Sequence, residues 1–258
     1  MNIQDYLESG YYIGKTNEII KEMETFEKIA EEVREHGKDY NARFRKGYKY
    51  RFQYPQLDQE NKRHWVTSLD EIEERQNHIK KNNYRIIQKW WEKGGGGDFE
   101  KHTSFMRDTL NSFLPKIYPD LQNNIKHHDA FTIYDNGDFI ERHFDGRSPE
   151  RYCVILIYLS DKKDYIDGGG HLVVGRTENE LEKVEPVIDN FVIMDFLNHD
   201  IIHEVEPVKN DFHRFTYLSF VYNEELFYKE ELNKGKITEE EMWKFHSRAA
   251  KKIFKNSI

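Results

Sequence analysis

The stretch DFIERHFDGRSPERYCVILIYLS, residues 138–160, joins two runs rich in Ile, Val, Phe and Tyr through an Asp-Gly break. That is the composition of neighbouring β-strands separated by a turn. In an extended strand residues i and i+2 project from one face, so His143 and Asp145 present an imidazole and a carboxylate side by side.

The same texture extends in both directions. From Ile125 onward the chain reads IKHHDAFTIY, DFIERHF, RYCVILIYLS, HLVVG, FVIMDF, IIHEVEPV and RFTYLSFVY, with Asp135-Asn136-Gly137-Asp138 a strong turn signal between the first two. Short strands at this spacing predict a sandwich or jelly roll. Upstream the period is helical. Residues 16–36 carry Ile19, Ile20, Met23, Phe26, Ile29, Ala30 and Val33 at three- and four-residue steps, with Gly37 placed to stop the helix. Thr67-Ser68-Leu69-Asp70-Glu71 opens a second helix to about Asn82. Tyr84 to Trp91 continues it with Ile86, Ile87, Trp90 and Trp91, and Gly94 to Gly97 form a hinge, a disordered tip or a mobile lid edge. A third helix runs from Asp98 to about Leu114, closed by Pro115. After Tyr222, Asn223 caps a helix over Glu224 to Asn233, and Thr238 with Glu241 begins a last one. The chain is therefore expected to be a single domain over 1–258, with a mainly helical part over 1–120, a β core over 125–222 and C-terminal helices over 223–258.

At 258 residues such a chain buries a sizeable core without staples. A formal net charge of −8 argues against nucleic acid and anionic membrane as partners. The single cysteine, Cys153, permits no intrachain disulfide and reads as a small buried hydrophobe, which suits a reducing compartment. Met1 to Gly10 carries Asp5 and Glu8 and has no signal-peptide pattern, and apolar runs such as Val154 to Leu159 fall far below the roughly 20 residues of a membrane helix. A cytoplasmic location is expected. One local exception to the acidic balance is NARFRKGYKYRFQYPQ, where Arg43, Arg45 and Arg51 interleave with Phe44, Tyr48, Tyr50 and Phe52. It reads as an amphipathic strand with solvated cations, as an arginine clamp for a substrate carboxylate, or as a stacking surface for nucleobases.

His203, in IIHEVEPV, supplies a second imidazole 58 residues beyond Asp145. Two His and one carboxylate leave the other positions of a metal open, an arrangement associated with non-haem Fe(II) oxygenases. Eleven residues further on, Arg214 heads the strand RFTYLSFVY. A 2-oxo acid chelating the iron needs such a guanidinium for its distal carboxylate, a pair worth roughly 1.5–3 kcal/mol.

From Tyr134 to Tyr222 the sequence resembles the Fe(II)/2-oxoglutarate dioxygenase superfamily in its prolyl-4-hydroxylase-like branch. The resemblance rests on Tyr134-x-x-Gly137, His143-x-Asp145, Arg151 with Tyr158-Leu159 following, Gly168-Gly169-Gly170, FVIMDF, His203-Glu204-Val205-x-Pro207-Val208 and Arg214, about a third of the chain. It implies an α+β protein with a double-stranded β-helix (jelly-roll, cupin-like) core and packed helices at both ends. It also implies His143, Asp145 and His203 as Fe(II) ligands and Arg214 on the distal carboxylate of 2-oxoglutarate. Tyr158 would donate to the same carboxylate, and Tyr134 would line the pocket. Relatives that halogenate carry Gly or Ala in place of the carboxylate, so Asp145 implies hydroxylation with 2-oxoglutarate and O2. The implied substrate is a small molecule, with a free amino acid such as lysine favoured. The alternatives are a prolyl-type peptide hydroxylase and a cupin-like module that only holds metal.

Two departures from the family pattern stand out. His171 occupies the place of an acid after the glycines, and the spacing from His203 to Arg214 is longer by a residue or two, which makes His213 a competitor for the anion. His199, four before His203, has a helical zinc spacing that the surrounding strands disfavour. His127 and His128 point to opposite faces of their strand, so at most one could reach the site.

Overall fold

The computed structural model describes residues 3–38, 49–53, 63–66, 87–90, 98–121, 124–233 and 235. Its core is a pair of facing antiparallel sheets. The elements are α1 (Ile3–Ser9), β1 (Tyr11–Lys15), α2 (Met23–Lys38), β2 (Lys49–Gln53), β3 (Arg63–Val66), β4 (Ile87–Trp90), α3 (Asp98–Phe113), β5 (Ile125–Tyr134) and β6 (Ile140–Phe144). They continue with β7 (Arg151–Tyr158), β8 (Leu172–Gly175), β9 (Glu182–Val184), β10 (Asn190–Asp195), β11 (Ile202–Val205), β12 (Arg214–Asn223) and α4 (Glu224–Asn233). The large sheet has the order β1-β10-β7-β12-β5-β4-β2-β3, and the small one β6-β11-β8-β9. The expected jelly-roll core with flanking helices is the fold observed.

The central strands are apolar throughout because both faces of the large sheet are covered, and alternation sorts their side chains between two cores. Cys153, Ile155, Ile157, Phe131, Ile133, Phe215 and Tyr217 pack with Tyr6, Phe26, Val33, Met106 and Leu110 from the helices. Val154, Leu156, Tyr158, Tyr134, Val192 and Met194 point the other way and pack with Leu172, Val174 and Val205 of the small sheet. The second core surrounds the site.

The helices follow their apolar stripes, with adjustments. In α2 the buried Phe26, Ile29, Ala30 and Val33 lie at helical spacing. The helix starts at Met23 rather than Thr16, because Thr16 is held to another loop through its N–H to the Asp189 carbonyl (2.9 Å) and its hydroxyl to the Ile188 carbonyl (2.7 Å). It also runs through Gly37 to Lys38. In α3, Met106, Leu110 and Phe113 form the buried stripe, and Pro115 falls in the 3-10 turn that ends it. The Asn223 cap is present: its side-chain oxygen accepts from the N–H of Leu226 (3.1 Å).

The reading of Tyr84 to Trp91 as helix needs correction. Ile87–Trp90 is a strand paired to β2 and β5, and β1, β2 and β3 also join the large sheet. Ile and Trp suit a helix face or a strand, and pairing partners outside the local window decide. The expected helices over 67–82 and from 238, the glycines 94–97, and residues 43–48 of the basic-aromatic stretch lie outside the described residues. Among the described residues no helix is long and apolar enough to cross a membrane.

Candidate metal and carboxylate site

The β6–β11 ladder places His143 directly opposite His203, with ring centroids 4.2 Å apart. Directly opposed residues share a face of the sheet, so both imidazoles enter the space between the sheets. Asp145 lies just beyond β6, which ends at Phe144, so its position is not set by the ladder as a continuous strand would have it. Its carboxylate oxygens stand 3.6 Å from Nε2 of His143 and 3.9 Å from Nε2 of His203. One donor atom from each side chain falls within a 4.8 Å cluster, close enough to share one cation.

The electrostatics suit a metal, which takes neutral imidazole and ionised carboxylate. Burial, followed by the charge of His143, pushes His203 down to about 4. At Asp145 burial works to raise the pKa. The hydrogen bond with His143 and the charges of His203, His143 and Arg151 outweigh it, so the carboxyl stays below its usual range.

Arg214 is fully buried at the head of β12. Its Nε donates to the Gly170 carbonyl (2.9 Å) and its Nη1 to the Thr216 hydroxyl (3.0 Å), while Nη2 is buried with no partner. The guanidinium carbon lies 5.0 Å from the Tyr134 ring centre and 5.2 Å from that of Tyr158. The Tyr158 hydroxyl is likewise buried and makes no hydrogen bond of ordinary geometry, though it lies close enough to Arg214 for the two side chains to interact. Burial raises its pKa against the opposing charge of Arg214, which leaves it a protonated donor. Leaving a buried donor unmade costs about 1–3 kcal/mol, more when charged, so two of them beside each other call for an acceptor with two oxygens. A carboxylate fits that description.

The glycine step shapes this end of the site. Gly169 (φ +59°) bridges to Val208, and the Gly170 N–H donates to the Pro207 carbonyl (3.1 Å). A Cβ on Gly169 would stand 2.3 Å from the Pro207 carbonyl oxygen, and one on Gly170 would press on Val208 and the Arg214 stem. Here glycine is needed both for its left-handed backbone and for the close approach.

The other histidines weighed in the sequence are engaged elsewhere. His213 bonds to Asp135 (2.6 Å) and lines a cleft with Arg34, so it does not compete with Arg214. His171 bonds to the Tyr165 hydroxyl (2.8 Å) and lies 3.0 Å from Glu206. His199 reaches the Leu7 carbonyl (2.9 Å), and His127 bonds to Ser219 and Asn111. His128 stacks on Tyr222 and Phe227. Two contributors went unassigned in the sequence. Thr216 shares a strand face with Arg214, a spacing that offered a signal. Arg151 belongs to the quoted motif, but its partners are main-chain carbonyls, which no pattern of side chains marks.

Residues 130–222 match the family described as 2OG-Fe(II) oxygenase superfamily. No curated protein matches the sequence. Among solved structures, a Pseudomonas putida prolyl-4-hydroxylase aligns with a TM-score of 0.55 at 15% identity, covering 86% of this chain and 96% of its own. A Trichoplax adhaerens prolyl hydroxylase, solved in complex with a hypoxia inducible factor peptide fragment, aligns at 0.55 with 17% identity, covering 87% and 89%. A Burkholderia pseudomallei oxidoreductase of the 2OG-Fe(II) oxygenase family aligns at 0.54 with 12% identity, covering 86% and 89%. At these identities the likeness establishes the fold.

Proposed function

We propose that the 2OG-Fe(II) oxygenase domain carried by this chain hydroxylates an unactivated C–H of a small molecule, a free amino acid such as lysine being favoured. The chain would act as one domain over 1–258, since strands from the N-terminal third join the same sheet as β5, β7 and β12. Fe(II), 2-oxoglutarate and O2, which this family uses, supply the oxidation, 2-oxoglutarate leaving as succinate and CO2. His143, Asp145 and His203 hold the metal. Arg214 and Tyr158 take the distal carboxylate of 2-oxoglutarate, and Tyr134 walls its pocket.

The observation that carries this reading is the coexistence, in one space between the sheets, of a three-ligand cluster and two buried donors that lack a hydrogen bond of ordinary geometry. A module that merely holds metal explains the cluster and leaves the Arg214 and Tyr158 donors without work. The amino-acid reading is supported by Arg151, whose Nε is a further buried donor without a partner, next to the Asp145 main chain and suited to a substrate carboxylate. A second reading, an extended peptide substrate, is favoured by the position of β6. This His143-bearing strand is an edge of the small sheet, with no strand on its outer side among the described residues.

The test begins without oxygen. Fe(II) and 2-oxoglutarate added together to the metal-free protein should develop a visible absorption band that Asp145→Ala abolishes. Amino acids and proline-containing peptides are then screened in air for stimulated succinate release. Stimulation by peptides alone would select the second reading, and absence of both band and turnover would leave a binding module.

A further inference from the structure

The ladder that sets His143 against His203 does not reach Asp145, so something else must hold the third side chain in place. The loop after β6 turns at Gly146 (φ +72°), where a left-handed backbone releases the chain from the strand. Two arginines tie this loop down. Arg147 makes a two-pronged pair with Asp200 (3.1 and 2.9 Å), but both side chains are about half exposed, where such a pair contributes little.

Arg151 is placed differently. Its Nη2 donates to the main-chain carbonyl of Asp145 (2.6 Å) and to that of Gly146. The guanidinium lies 4.9 Å over the ring of Phe196 and 5.8 Å from that of Phe220. Phe196 is buried, and its ring centre stands 5.9 Å from that of His203. The cation is thus held by the wall that backs one histidine while it grips the backbone that carries the acid.

We propose that Arg151 is the positioning residue for Asp145: it fixes the two carbonyls of the Asp145-Gly146 turn, and so aims the carboxylate at the gap between His143 and His203. The inference rests on the reading of those three side chains as metal ligands. Groups that orient a ligand without touching the metal typically contribute 10–100-fold to metal affinity. Glutamine at this position lacks the charge and the length of the arginine stem. Lysine keeps the charge without the planar fork that stacks on Phe196, so it should recover part of the loss.

Co(II) serves as the probe, its affinity and visible d–d absorption measured without co-substrate or substrate, which keeps any contact between Arg151 and substrate out of the reading. Arg151→Gln is expected to weaken Co(II) binding by about 10–100-fold and, at saturation, to move the spectrum toward that of Asp145→Ala, with Arg151→Lys in between. Arg147→Gln should stay within about 2-fold of the parent. Because Arg151 acts through Asp145, the double variant Arg151→Gln/Asp145→Ala should bind no worse than Asp145→Ala alone. An affinity of Arg151→Gln equal to the parent's, or losses that multiply in the double variant, overturns the proposal. So does global unfolding of both Arg151 variants by circular dichroism, which would make it a folding residue. If Asp145→Ala binds Co(II) as tightly as the parent, the ligand reading itself fails, a result separate from any failure of Arg151.

Discussion

His143 and His203 are direct partners across the β6–β11 ladder, their ring centres 4.2 Å apart, so each fixes the rotamer space of the other. Replacing either by alanine removes a donor and leaves the partner facing a gap. Co(II) affinity should fall by more than the ~100-fold expected for a group that only orients a ligand. Fluorescence or absorption titration of His143→Ala and His203→Ala checks this, and parent-like affinity in either would remove that histidine from the ligand set.

Arg214 and Tyr158 make opposite predictions for the free and the loaded protein. With no acceptor present, Tyr158→Phe deletes a buried hydroxyl that makes no hydrogen bond of ordinary geometry, so the melting temperature should hold or rise. With 2-oxoglutarate the same change removes a donor worth roughly 1–2 kcal/mol, about 5–30-fold in apparent affinity. Arg214→Gln should weaken 2-oxoglutarate further, by at least ~10-fold, since a charge-assisted bond is lost. Thermal shift with and without 2-oxoglutarate separates these effects. A parent-sized shift in Arg214→Gln would place the carboxylate elsewhere.

Gly170 makes room for Arg214. An added Cβ would meet Val208 Cγ2 at 3.0 Å and Arg214 Cδ at 3.2 Å, on a residue already at φ +66°. Gly170→Ala should therefore cost about 1–3 kcal/mol of stability through backbone strain and weaken 2-oxoglutarate as well, because the Gly170 carbonyl that holds Nε moves with it. Gly169→Ala faces a backbone oxygen instead and should act mainly on stability. Denaturant unfolding together with 2-oxoglutarate titration distinguishes the two.

Much of the core was legible because each central strand is a long run of Ile, Val, Phe and Tyr bounded by Asp, Asn and Gly. β5 and β7 begin where those runs begin. The short edge strands were not. β9 is Glu182-Lys183-Val184, whose single apolar residue gives no period, and it is a strand because β8 pairs with it. β1 contains Gly14 and takes its shape from β10; Ile87–Trp90, an inner strand between β2 and β5, carries residues that fit a helix stripe equally well. At the site, side-chain types and spacing pointed to His143, Asp145, His203 and Arg214, and the family resemblance added Tyr158. Arg151 needed the structure, since its partners are carbonyls that every residue possesses.

Acid should destabilise the metal-free protein through His203. Burial holds this imidazole at about 4, against 6.5 for an ordinary histidine, so it stays neutral in the folded chain while the unfolded chain protonates it. Between those values the unfolded state binds more protons, and stability rises with pH across the window. The contribution is complete above about pH 6.5 and is lost progressively as pH falls toward 4, amounting to at most on the order of 3 kcal/mol. Asp145, held below the usual carboxylate range, pushes in the same direction at still lower pH, since protonation would remove its attraction to the imidazoles. Denaturant melts of chelator-treated protein at pH 7, 6 and 5 should show the decline, and His203→Leu, which has nothing to protonate, should show a flatter profile. An equal pH slope in the parent and His203→Leu would mean that the acid sensitivity resides in other groups.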